Sequence, residues 1–148
     1  VCLVVEPQRR GRRRRRGPVQ QQRPRPFDAA GVEVVTAFLA AGVAAGVPEL
    51  IGEPYADADG TAYLPTLGLP VLVRAGDATT PAACRARAVG RGLPVAVFTA
   101  AMFSTGNDHD NRAVVAAARA EELDLVGVAL HGPRNAVDTV LTGTTAHP

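Results

Sequence analysis

The hydrophobic pattern divides the chain into short unbroken apolar runs separated by stretches with helical spacing. "VCLVVEP" at 1–7 is apolar and β-branched up to Pro7, which predicts a strand buried on both faces. In "FDAAGVEVVTAFLAAGVAAGVPEL", Val32, Val35, Leu39 and Val43 recur at helical spacing. Asp28 suits the N-cap, Phe27 and Val32 suit a hydrophobic staple, and Gly46 with Pro48 ends the helix. Glu33 is its one charge, so the helix is expected to be buried over most of its surface.

Further along, 52–68 is turn-rich and "LPVLVRA" at 69–75 predicts a second strand. Thr80 as cap, with Pro81 at the first helical position, opens a helix that should stop near Gly90 or Gly92. "LPVAVFT" at 93–99 predicts a third strand. A polar loop with an Asx-type cap then leads into a helix with Val114, Val115 and Ala118 inside. "LDLVGVAL" at 123–130 predicts a fourth strand, and "HGPRNAVDTVLTG" turns into a last helix closed by Gly143. Strands alternating with helices give an α/β fold with a mostly parallel sheet.

Composition adds one contrast to this outline. The 148 residues, 47% of them hydrophobic, suit one domain over 1–148 with a real core. Aromatics make up 4% and there is no Trp, so that core must be built largely from Ala, Val and Leu. All sixteen basic residues are Arg, and nine of them fall in 8–26, where there is no acid. Without that run, seven arginines face fourteen acids, a net charge of −7. The run sits between the first strand and the first helix, where α/β units use roughly 2 to 6 residues. It reads as a disordered insertion. Arg9, Arg10, Arg12, Arg13, Arg14, Arg15 and Arg16 would give salt-sensitive, sequence-blind RNA or DNA binding. A solvated arm resting on the acidic body, or a GC-rich gene read in the wrong frame, explains the same residues.

Cys2 and Cys84 match no metal or redox spacing and read as reduced, buried thiols. No apolar stretch approaches the roughly 20 residues of a membrane span. A cytoplasmic protein without a membrane partner is therefore expected, and a homodimer is compatible with the composition.

The strongest candidate for chemistry is "HGPRN" at 131–135. Gly132 would let the backbone approach a ligand, and Arg134 opens a helix whose amides favour an anion. Arg134 adds a bidentate grip, and His131 could move a proton with Asp138 or Asp108 as partner. The same residues also fit an ordinary strand-to-helix turn. "NDHDN" at 107–111 puts His109 between carboxylates, yet no second ligand cluster completes a metal site, and a helix-capping loop explains it. "DADG" at 57–60 lacks the third acid and closing Glu of a calcium loop and reads as a surface turn. No nucleophile elbow or Walker loop occurs. No metal or cofactor is expected.

"VPELIGEPYADADGTAY", "LPVLVRA", "LPVAVFT" and above all "LVGVALHGPRNAVDTVLTG" resemble the bacterial family known as domain of unknown function 2000. The likeness covers 1–7 and about 29–145. It implies the fold of peptidyl-tRNA hydrolase II, a three-layer α/β/α sandwich around a four-stranded mixed sheet. Those hydrolases carry a lysine and a histidine on the first helix, and this helix has neither. The relatives of unknown function carry an Asn early in that helix, where this chain has Val34. The resulting expectation is a small protein that binds an anionic small molecule or nucleotide at 131–134. Alternatives are a hydrolase of acylated or peptidyl-tRNA-like esters, and a nucleic-acid binder through the arginine run.

Overall fold

A computed structural model describes residues 2–5 and 29–147. The arginine run at 8–26, with Arg9, Arg10, Arg12, Arg13, Arg14, Arg15 and Arg16, lies outside the described residues, as do Phe27 and Asp28.

The main sheet is built on β1 (Cys2–Val5), whose Cys2, Leu3 and Val4 are fully covered. On one side β1 pairs in parallel with β4 (Leu72–Ala75), and on the other it runs antiparallel to β6 (Leu125–Leu130). Beyond these lie β5 (Val95–Thr99) beside β6 and β7 (Thr145–Ala146) beside β4, giving the order β5-β6-β1-β4-β7. Among the described residues the sheet is thus mixed and five-stranded, where the sequence predicted four strands. Only β1 and β4 are parallel, which corrects the expectation of a mostly parallel sheet.

Both differences have local causes. After β5 the chain forms a 3-10 turn (Ala100–Ser104) and α3 (Asp108–Ala116), and α3 packs against that turn instead of crossing the sheet. The chain therefore returns beside β5 in the opposite direction. The extra strand follows Gly143, whose φ of 88° reverses the chain. Arg74 then holds the returning segment by donating from Nε to Thr144 Oγ1 and from Nη2 to Thr144 O.

Helices cover both faces. α1 (Ala29–Gly46) places Val35, Leu39 and Val43 against Leu3, Phe98, Val126 and Ala129. α2 (Thr80–Val89) and α4 (Arg134–Val140) cover Val4, Leu125, Val128 and Leu130 with Cys84, Ala88 and Val140. Fully burying a Leu or Val is worth about 1.5–3 kcal/mol, so the three-residue stripe of α1 suffices to dock it. A register shift opposite Phe98 and Thr99 places both Val126 and Gly127 toward α1, a β-bulge.

Among the described residues α1 is covered on one face only, where the sequence led to the expectation that most of it is buried. Its outer positions, Ala37, Ala41 and Ala45, carry too little apolar area to demand cover. Phe38 is the exception, standing 56% exposed among them.

The turn-rich segment contains a short hairpin, β2 (Tyr55–Ala56) with β3 (Ala62–Tyr63). There the Asp57 carboxylate accepts bonds from the Asp59 and Thr61 amides and the Tyr63 hydroxyl. Its oxygens close the turn that the sequence suggested. Among the described residues no helix is long and apolar enough to cross a membrane.

Candidate functional site

The strand end at 131–134 sits where the sequence placed it. His131 and Gly132 follow β6, Pro133 occupies the cap position, and α4 begins at Arg134. His131, Gly132, Arg134 and Asp138 all border one groove of about 510 Å³, with Leu72 and Val137 as apolar walls. Within it Asp138 pairs with Arg134, at 3.8 Å from Nε to Oδ2, and not with His131. The Arg134 side chain is 93% exposed. The space beside Gly132 is taken by Leu93, whose Cδ2 would stand 2.8 Å from an added Cβ. Packing against Leu93 therefore accounts for a glycine at this position. The amides of Ala136 and Val137 already bond to Pro133 O, leaving those of Arg134 and Asn135 without intrahelical partners.

A second groove, of about 530 Å³, opens between α1 and the segment after β5. Val34 and Phe38 from α1, Phe98 from β5, and Met102 and Phe103 from the 3-10 turn make its apolar part. The rings are arranged edge to face. Phe38 and Phe98 lie 5.6 Å apart at 67°, and Phe98 and Phe103 lie 5.1 Å apart at 63°. Three of the four phenylalanines in the chain meet here, in a protein otherwise poor in aromatic residues.

Thr105, Asn107, Asp108 and Asn111 form the polar rim. Asn107 caps α3, its Oδ1 accepting from the Asp110 amide at 3.0 Å. "NDHDN" is thus a helix cap, with Asp108 paired to Arg112 and His109 turned to solvent. The Thr105 hydroxyl donates to Met102 O at 2.8 Å and meets the side-chain amide of Asn111, tying α3 to the 3-10 turn. Asp108, the sequence candidate for a proton partner of His131, lies in this groove and not in the one that holds His131.

Sequence reading missed this groove because its rings come from three separate elements. The available signal was the scarcity of aromatics together with Phe98 and Phe103 flanking the end of a predicted strand.

Cys2 and Cys84 are free and buried. Burial pushes the Cys2 thiol up to about 11 and raises that of Cys84, whose Sγ bonds to Val140 O at 3.3 Å. Arg87 Nη2 donates to Cys84 Sγ at 3.4 Å, yet burial outweighs it, and neither thiol is exposed as a reactive one is. Among the described residues no group of three His, Cys, Asp or Glu could hold a metal ion.

The family model described as "Protein of unknown function (DUF2000)" matches residues 31–148. The chain belongs to this family. The match takes in the four described helices except the first two residues of α1, and the lining of both grooves of this DUF2000 chain apart from Cys2. The chain is also similar to the solved structure of a protein of unknown function from Agrobacterium tumefaciens strain C58. That likeness has a TM-score of 0.80 and 28% identity, covering 99% of this chain and 96% of the other. No curated protein matches.

Proposed function

We propose that this DUF2000 chain is a small-molecule-binding protein on a peptidyl-tRNA hydrolase II-like fold, with its ligand in the groove between α1 and the segment after β5. The fold reading is supported by a mixed sheet with helices on both faces. The observation that carries the site is the convergence of Phe38, Phe98 and Phe103 on one groove with a polar rim. Ligand pockets are mostly apolar, with a few polar groups that fix orientation. Val34, the position where the family resemblance implies an Asn, borders the same groove.

An anionic ligand in the 131–134 groove is a second reading, favoured by His131 and Arg134 bordering the same space. Ester hydrolysis by His131 with Asp138 has less support, since Asp138 is engaged by Arg134. A thermal-shift screen of the full chain separates the readings. Planar aromatic compounds should raise the melting temperature, and Phe38→Ser should abolish that rise. Stabilisation by phosphate or small carboxylates that disappears in Arg134→Ala would move the function to the other groove.

A further inference from the structure

We infer that two copies of this chain join through the apolar surface of the segment from Ile51 to Leu72. Seven of the nine exposed large apolar side chains among the described residues fall in this stretch, and Leu64 alone is 87% exposed. None of its residues is buried. The hairpin is anchored at the buried Leu50, whose carbonyl accepts from the Gly68 amide. Its ladder runs outward from there, through the Ile51–Leu67 bridge to the Tyr55–Tyr63 pair. A two-stranded ribbon is marginally stable in water unless something packs on it.

This surface wraps one edge of the main sheet. Val71 borders a groove of about 460 Å³ with Ala40, Ala41 and Ala44 of α1, while its neighbour Leu72 borders the 131–134 groove beside Val137 of α4. β7 pairs with β4 at Arg74 and Ala75, and Leu72 lies beyond that cover, 56% exposed.

Area and charge point to a second copy as the occupant. The seven side chains present on the order of 500 Å² of apolar surface. That is at the upper end of what a monomer exposes in one patch. The backbone and small residues between them bring it toward the roughly 800 Å² that each partner gives a stable dimer. Exposed Glu53 and Asp59 lie on the hairpin, and Arg134, its side chain 93% exposed and 3.8 Å from Asp138, stands at the α4 border. A two-fold axis through the patch sets the acids of each copy against Arg134 of the other, so the surface is complementary to itself.

Sedimentation velocity of the full chain, from about 1 to 100 µM, tests this. A dimer is expected, and Leu64→Asp should weaken it about tenfold or more. Val89→Asp, at an exposed apolar position on α2, should leave it unchanged. Arg134→Glu should weaken it about five- to tenfold, and adding Glu53→Arg and Asp59→Arg to that variant should restore it. The altered side chains are all exposed, which spares the core. A monomer at about 100 µM would overturn the inference and leave the cover to a different protein or to residues 6–28 of the chain itself. A dimer that tolerates Leu64→Asp but not Val89→Asp would place the interface elsewhere and overturn it too.

Discussion

A carbon placed at the Cβ position of Gly127 would stand 2.6 Å from Val35 Cγ1 and 3.0 Å from Leu39 Cδ1. β6 and α1 therefore meet where only a hydrogen fits, and this contact sets the height of α1 above the sheet beside the groove. Gly127→Ala should destabilise the fold by about 1–3 kcal/mol, as overpacking of a core does. Urea unfolding measures it, and an unchanged midpoint would show that α1 sits on the sheet with room to spare.

Thr99 closes β5 directly after Phe98 and is 3% exposed, with no hydrogen-bond partner for Oγ1 among the described residues. A buried hydroxyl without a partner costs roughly 1–3 kcal/mol. Thr99→Val keeps the shape and removes that cost, so it should raise the melting temperature. A fall would mean that the hydroxyl has found a partner.

Asp77 organises the start of α2. Its Oδ1 accepts from the Thr79 amide at 2.9 Å, the Thr79 hydroxyl at 2.7 Å and the Thr80 hydroxyl at 2.9 Å. These bonds, led by the Thr79 hydroxyl, hold the carboxyl below its ordinary 3.8. A depressed folded value means that the stabilisation is full above the unfolded value and is lost as pH falls through the folded one. Asp77→Ala should lower the urea midpoint at pH 7, with the difference from the parent shrinking below about pH 4. A difference that stays constant down to pH 2 would contradict this role.

The thiols give a probe of core integrity. With Cys2 pushed up to about 11 by burial and Cys84 raised and covered, both remain protonated at neutral pH. A disulfide reagent at pH 8 should label neither in the folded chain and both in urea. Prompt labelling of the native chain would show that the sheet opens at β1 or α2.

How much of this was legible in the sequence depends on how local each cause is. The apolar runs around Leu3, Val97 and Val128 marked their strands, and the Val35, Leu39 and Val43 stripe marked α1, because those patterns lie within single elements. Thr145 and Ala146 did not read as a strand, since their pairing depends on Gly143 reversing the chain and on Arg74 reaching back to Thr144. Strand direction was misread for a related reason. Whether β6 returns beside β5 depends on where α3 packs, and nothing in the spacing of Val114 and Val115 encodes that. The polar candidates His131, Arg134 and Asp138 did come together, being near neighbours around one turn. Phe38, Phe98 and Phe103 meet only through the sheet and helix geometry, and no spacing rule connects them.

The central claim is that ligands occupy the groove beside Phe38. A two-dimensional amide correlation spectrum of the full chain, titrated with indole, tests it most directly. Saturable shifts should be confined to the Val34 to Phe38 stretch and to the segment from Phe98 to Asn111. Shifts centred on His131 to Asp138 instead would contradict it.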